Sequence, residues 1–301
     1  MAPEDQAADL EARVGHPGEK WDALKDRVQS RALAQFAEVQ DDWLDLMWTL
    51  DQYRIASVPP RAMGKLSTPP ERRLGAIYRG KGNWFAETLG LLLHNRTSQQ
   101  IAPRQRVEGF SQYHQVDLAW PARTADVRVC AETKVTGAPS YTNASGEVTP
   151  ARASRDDFSN RRKELKFAAT DLKLYRRQQE TKIDHWDVWR QNAPPKTYVL
   201  WAARIKPGAD RLEKMVAEVQ GLVNTYLDGG GIFAWQERQD GSGYEALTLP
   251  LGARVSTLDD VLHRIATEIN EQAGPDRTPP PPETPRERAL RPQDLPPEDG
   301  P

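Results

Sequence analysis

Apolar side chains recur every three or four residues from Trp21 to Tyr53, through Leu24, Val28, Ala32, Phe36, Val39, Trp43, Leu46 and Leu50. This near-heptad spacing predicts one long helix over 19–53. The stripe suits either a coiled-coil dimer or packing within the same chain, and the spacing does not choose between them. Residues 1–18, polar and ending in His16-Pro-Gly18, read as disordered. Pro59-Pro60 and Pro69-Pro70 then break the chain. A second helix is expected over 72–95, where Trp84 to Leu93 is almost wholly apolar. Glu87 sits inside that run, and a carboxylate in a buried helix needs a cation or a donor beside it.

The period changes to two at Tyr113. Val116, Leu118 and Trp120 alternate with Gln115, Asp117 and Ala119. After a turn opened by Pro121, Val127, Val129, Ala131, Thr133 and Val135 alternate with Arg128, Cys130, Glu132 and Lys134. Such alternation predicts a β-hairpin. If it is symmetric about Arg123–Asp126, Asp117 lies opposite Glu132, and opposed residues share a face with Cβ atoms about 4.5–5.5 Å apart. Asp117, Glu132 and Lys134 then converge. Two carboxylates that close repel unless something positive lies between them, and a divalent cation with oxygen ligands fits.

The remaining pattern places a strand within 100–111, a Gly/Ser/Thr/Pro loop over 136–155 and a basic helix from Asp156 to about Gln179. Trp186 and Trp189 read as anchors of a following loop. A buried strand over 197–204 and a helix over 210–227 come next, the helix stopped by Asp228-Gly-Gly-Gly231. A hairpin follows (232–237 and 244–249), then a helix over 257–272 with Ser256 or Thr257 as N-cap. This order argues one mixed α/β unit over 72–273, preceded by a helical region and linker at 19–71. Residues 274–301, Pro-rich, charged and without aromatics, read as a disordered tail that offers a site for a partner protein.

Composition narrows the class. No run of 18 apolar residues exists, so no membrane span is expected, and the acidic N-terminus does not read as a signal peptide. Cys130 is the one cysteine, which excludes an intramolecular disulfide and a cysteine metal cluster; a cytoplasmic protein is the expectation. His94, His114 and His185 have no metal-ligand spacing and read as structural. Net charge is −2, yet residues 61–190 hold 23 basic and 14 acidic side chains, an excess around the hairpin that suits a phosphate-tracking surface.

An acidic-x-Lys tripeptide is a weak signal alone. Besides Glu132-Thr-Lys134, the chain has Glu164-Leu-Lys166, Asp171-Leu-Lys173 and Glu180-Thr-Lys182. The last three fall in or just after a helical pattern, where residues i and i+2 point apart, and are expected to be solvated surface charges. Only the first lies on a strand with an acidic residue across a turn.

In that setting the chain resembles the PD-(D/E)xK phosphodiesterase superfamily, the restriction-endonuclease-like nucleases. Glu87, in Gly82-Asn-Trp-Phe-Ala-Glu87, matches the family's helix acid; Asp117 matches the motif Asp and Glu132-Thr-Lys134 the signature. Val116 stands where the name-giving Pro would be, and that Pro is not a ligand. The resemblance spans about residues 75–205. It implies a restriction-endonuclease-like mixed sheet flanked by helices and a metal-dependent DNA endonuclease serving restriction, anti-phage defence or repair. Asp117 and Glu132 would hold Mg²⁺, or Mn²⁺ in its place, with the Thr133 carbonyl as a further ligand and Glu87 completing the shell. Lys134 would position the attacking water. Arg104, Arg106, Arg128, Arg161, Arg162, Lys163 and Lys166 would contact DNA phosphates. The alternative is a catalytically silent nuclease fold that binds nucleic acid or protein within a larger defence complex.

Overall fold

The apolar N-terminal run folds back onto the sheet of its own chain. The computed structural model describes residues 3–57, 74–124, 127–143, 146–182, 194–252 and 254–274, with helical side chains described from residue 8 of α1, from residue 80 of α4 and up to residue 174 of α5. The N-terminal helices are α1 (Pro3–Val14), α2 (Pro17–Ser30) and α3 (Gln40–Ile55), with a 3-10 turn at Phe36–Glu38. Residues 3–14 are therefore helical rather than disordered, anchored by the buried Leu10. The 19–53 run is helical with one break. There Ala32 takes φ +48, and the Asn95 amide donates to the Val28 and Leu33 carbonyls at 3.1 and 2.7 Å. The Asp259 carboxylate accepts the Phe36 and Ala37 N–H groups at 2.7 and 3.0 Å. Backbone groups that a continuous helix would satisfy internally are taken up by distant side chains. Trp21, Leu24, Val28, Phe36, Val39, Trp43, Leu46, Leu50 and Tyr53 are all buried in the chain's own core, so the stripe is spent on self-packing and is not left for a coiled-coil dimer through 19–53.

Helix α4 (Leu74–Thr97) leads into one sheet. Its strands lie in the order β1 (Ala102–Glu108), β2 (Tyr113–Trp120), β3 (Val129–Thr136), β6 (Lys196–Arg204), β7 (Gly229–Glu237) and β8 (Tyr244–Ala246), with β9 (Val255–Ser256) also paired to β7. A separate two-stranded ribbon, β4 (Tyr141–Thr142) with β5 (Val148–Thr149), lies within the 136–155 segment. Strands β1, β2 and β3 are antiparallel; β3, β6 and β7 are parallel. Parallel neighbours need long crossovers. Helix α5 (Ser154–Lys182) lies between β3 and β6, and α6 (Leu212–Val223) between β6 and β7. The C-terminal helix α7 (Leu258–Ala273) is capped by Thr257, whose hydroxyl accepts the Asp260 N–H. One sheet face packs against the N-terminal helices, α4 and α7 in a single cluster; the other packs against α5 and α6, where Phe158 stacks on Trp201 with ring centroids 3.8 Å apart. The fold is thus mixed α/β with helices on both faces of a mixed sheet. The Pro-rich linker, Trp186 and Trp189, Glu180-Thr-Lys182 beyond its backbone, and the 275–301 tail lie outside the described residues.

The glycine run departs from its reading as a helix stop. Helix α6 ends at Val223, and Gly229–Gly231 open β7. A Cβ on Gly230 would lie 2.5 Å from Val219, so something would have to shift, and one on Gly231 would lie 3.1 Å from Val261, a tight fit. Gly137, just after β3, is equally constrained: φ is +82 and a Cβ would lie 2.3 Å from the Arg204 carbonyl oxygen. Gly137→Ala is expected to destabilise by about 2–3 kcal/mol through backbone strain and overlap, read as an earlier urea midpoint. A change below about 0.5 kcal/mol would mean that the ends of β3 and β6 separate freely.

Beside Gly137 lies a cluster of buried charge. Arg204 Nε donates to the Tyr244 hydroxyl at 2.8 Å and lies 3.4 Å from Asp51 Oδ2, and the Tyr244 hydroxyl donates to the same carboxylate. Lys81 Nζ donates to the Gly137 carbonyl at 2.9 Å, and Arg54 stacks over the Tyr141 ring. Burial raises the Asp51 carboxyl despite the cations around it, and burial lowers Lys81 to about 8. The cluster ties α3 and α4 to β4, β6 and β8.

Candidate active site

Asp117, Glu132 and Lys134 meet because β2 and β3 part beside them. The ladder pairs Trp120 with Val129, Ala119 with Cys130 and Leu118 with Ala131, then stops. Asp117 and Glu132 are the next pair in that register, the one expected from a hairpin symmetric about Arg123–Asp126. On its other side β2 pairs with β1 at Pro103–Leu118 and at Gln105–Val116. Between them, Arg104 takes φ +54, a left-handed conformation that costs a non-glycine residue about 1–2 kcal/mol. The backbone is loosened on both sides of Asp117.

The Asp117 side chain fills the fork. Its Oδ2 accepts the Thr133 N–H at 2.8 Å and the Thr133 hydroxyl at 3.1 Å. Because the N–H and C=O of one strand residue point the same way, the Thr133 carbonyl faces the fork too. Lys134 Nζ donates to Glu132 Oε2 at 2.8 Å and lies 3.5 Å from Asp117 Oδ2. These contacts all fall on one oxygen of each carboxylate. Asp117 Oδ1 and Glu132 Oε1 have no protein donor among the described residues, and neither is sealed from solvent.

Burial pushes the Glu132 carboxyl up to about 7; Asp117, within hydrogen-bond reach, pushes the same way and Lys134 opposes. Burial also works against the Lys134 ammonium, but Glu132 and Asp117 outweigh it and hold its pKa above the ordinary value. The site therefore keeps a fixed cation and a carboxyl poised to exchange its proton near neutrality. Two carboxylates against one ammonium leave it one positive charge short, and oxygen donors with uncommitted lone pairs suit a hard divalent cation. Among the described residues no three His, Cys, Asp or Glu side chains converge. The oxygen donors offered are Asp117, Glu132 and the Thr133 carbonyl. Cys130 is buried on β3, and burial followed by Glu132 raises its thiol pKa, so it is an inert strand residue.

Glu87 stands apart. It is half-buried on α4, burial raises its carboxyl, and the charges that oppose this are Lys25 and Arg104. No hydrogen bond or ion pair joins it to the other three among the described residues. It approaches the fork through Arg104, the residue across β1 from Asp117.

The basic residues divide. Arg104 and Arg106 are exposed on β1, Lys163 is exposed on α5 and Arg162 is half-buried there. Arg161 is paired with Glu164 at 2.8 Å, and Lys166 lies over the Tyr226 ring. Arg128 is half-buried at the entry to β3, its backbone bonded to Trp120 and Lys196. Asp171-Leu-Lys173 is not the solvated pair expected of it. Asp171 is buried and bonded to Ser111 and His114, and Lys173 pairs with Asp228 at 2.9 Å. The pairing explains His114 as a structural histidine. What the sequence did not disclose is the Thr133 hydroxyl. A threonine between Glu132 and Lys134, within the strand, was the available sign.

Comparison with known proteins adds no family: no family model, no curated protein and no solved structure matches the chain.

Proposed function

We propose that this chain is a Mg²⁺-dependent phosphodiester hydrolase acting on DNA, with a restriction-endonuclease-like arrangement. The observation that carries the reading is the fork itself: two adjacent carboxylates and a lysine, with one oxygen of each carboxylate left without a protein donor. The element order supports it: a helix, three antiparallel strands, a crossover helix and a parallel strand.

Mg²⁺ uses one or two carboxylates, waters and substrate phosphate oxygens, so Asp117 and Glu132, with the Thr133 carbonyl, would hold it. Bound there, the ion supplies a water of lowered pKa and charge stabilisation at the scissile phosphate. The Thr133 N–H and hydroxyl occupy Asp117 Oδ2, which leaves Oδ1 as the oxygen that would take a metal ion. Lys134, whose ammonium both carboxylates favour, would orient an attacking water or donate to the charge that grows on the phosphate. Arg104, Arg106 and Lys163 contribute affinity through the phosphate backbone, with little sequence reading. A role in restriction, anti-phage defence or repair rests on analogy with the family.

The non-catalytic reading is favoured by one contact, the Lys134–Glu132 ion pair, which already gives one of the two carboxylates a protein cation. The two are separated by incubating the protein with plasmid, linear and single-stranded DNA and with RNA, in Mg²⁺, Mn²⁺ or EDTA, alongside Glu132→Ala and Lys134→Ala. Metal-dependent cleavage lost in both variants supports the hydrolase. Cleavage untouched by both rules out the site, and no cleavage with no bound metal by calorimetry favours the binding protein.

The raised Glu132 pKa gives a further expectation. Below about 7 a cation must displace the Glu132 proton, so apparent Mn²⁺ affinity falls about tenfold per pH unit under that value and levels off above it. The sign for stability without metal is opposite: the contribution is full below the ordinary glutamate range and is lost as pH rises through about 7. Calorimetric titration at several pH values from about 5.5 to about 8.5 checks this. A pH-independent affinity would remove Glu132 from the binding set.

A further inference from the structure

The strand that carries Asp117 does not by itself fix how the carboxylate points. Beside that residue β2 has left β3, since their ladder ends at Leu118–Ala131, and Arg104, across on β1, takes φ +54. The anchor lies on β3, which pairs with β6 without a gap from Val129–Lys196 to Thr136–Ala203. Thr133 is 4% exposed within that ladder, opposite the fully buried Leu200. A β-branched side chain has little χ1 freedom, so its hydroxyl is a fixed donor.

An ionised carboxylate has two oxygens and about four lone-pair sites. Both sites on Asp117 Oδ2 are taken by one residue: the Thr133 N–H donates at 2.8 Å and the Thr133 hydroxyl at 3.1 Å. Lys134 Nζ stands 3.5 Å from the same oxygen and adds positive charge there, on a flexible four-carbon stem. On Glu132 it is Oε2 that accepts from Lys134, at 2.8 Å. Among the described residues each carboxylate therefore has one uncommitted oxygen to offer a cation, Asp117 Oδ1 and Glu132 Oε1.

That pattern bears on which cation the fork would take. Mg²⁺ is octahedral at about 2.0–2.1 Å and keeps several waters, so carboxylates that each lend one oxygen suit it. Ca²⁺ takes about 6–8 oxygens at about 2.3–2.6 Å and readily uses both oxygens of a carboxylate. We propose that the Thr133 hydroxyl sets the metal selectivity of the fork: by filling Asp117 Oδ2 it holds that carboxylate to one-oxygen binding, which favours Mg²⁺ and its substitute Mn²⁺ over Ca²⁺. The hydroxyl acts through Asp117 and is a positioning group. The inference rests on the reading of the fork as a metal site. The backbone N–H alone would leave one lone pair of Oδ2 open, so the side chain decides the outcome.

The test is calorimetric titration of the full chain with Mn²⁺ and, separately, with Ca²⁺, in the absence of DNA, so that the readout does not depend on turnover. Wild type is expected to bind Mn²⁺ at least about tenfold more tightly than Ca²⁺. Thr133→Ala removes the donor and leaves room at Oδ2; it is expected to lower that ratio about tenfold, through tighter Ca²⁺ binding and weaker Mn²⁺ binding. Thr133→Val lacks the donor but sets a methyl in its space, and is expected to lower the ratio by about threefold. Thr133→Ser keeps a hydroxyl and should stay within about twofold of wild type. A packing role alone would shift the thermal melt of these variants without moving the ratio of two ions. A wild-type ratio in both the alanine and valine variants, or a serine variant that falls with alanine, overturns the proposal. If Glu132→Ala still abolishes Mn²⁺ binding in that case, the fork stands as a metal site and only the role of Thr133 falls. Wild type that binds neither ion overturns both.

Discussion

Glu132→Gln is expected to reduce DNA cleavage at saturating Mg²⁺ by about 10³-fold while leaving the melting temperature at pH 8 within about two degrees of wild type. The amide keeps the size of the side chain and one oxygen but cannot supply the second negative charge at the fork. For stability, two changes oppose each other. The substitution removes a carboxylate whose ionisation burial and Asp117 both resist, and it removes the ion pair to Lys134. A residue that merely closed a charge cluster would show the reverse pattern, with lower stability and unchanged turnover. Initial-rate cleavage and a thermal melt on one preparation decide between them. Full activity in the variant would end the assignment.

Asp51→Ala is the substitution expected to cost most in stability, about 3–5 kcal/mol. Arg204 (8% exposed), Lys81 (7%) and Arg54 (8%) are all buried near this carboxylate. Removing it leaves cations in a low-dielectric setting and takes the acceptor from the Tyr244 hydroxyl. Burial raises the Asp51 carboxyl, and Lys81, the Tyr244 hydroxyl, Arg204 and Arg54 all work against that rise, so the carboxyl and its neighbours depend on one another. Urea unfolding measures the loss. Asp51→Asn, which keeps an acceptor for Tyr244 but not the charge, should fall between the two. A cost below about 1 kcal/mol for Asp51→Ala would show that the cluster is solvated and does not brace the helices against the sheet.

What could be read in advance was what depends on local periodicity. Alternation over 113–135 located two strands, and the symmetry of the turn set the register that brings Asp117 to Glu132, because a one-residue slip would reverse every face. Helices α4, α5 and α7 and strand β6 were legible for the same reason. Tertiary placement was not. The break between α2 and α3 depends on Asn95 and Asp259, and no window around residue 35 contains either. Gly229–Gly231 looks like a helix stop because glycine frees the backbone; the need for it comes from Val219 and Val261, which approach from outside. Glu87 entered the site through the family resemblance, and the charges that oppose the burial of its carboxyl, Lys25 and Arg104, belong to distant parts of the chain that no local window contains. Asp51 and Arg204 carried a faint sign, charged residues inside apolar runs, but their pairing across the fold could not be seen.

The Asp259 carboxylate that receives the N–H groups of Phe36 and Ala37 lies 223 and 222 residues further along the chain. At about 5–20 residues per second, a ribosome needs about 10–45 s to make that interval. Through that delay Trp21, Trp43 and Leu46, made earlier, wait for the sheet and for α7, made later. Native-like closure of that sheet face is therefore a late event in synthesis. The nascent chain must keep an apolar helical segment from mispairing until its partner emerges, a delay that slower translation lengthens.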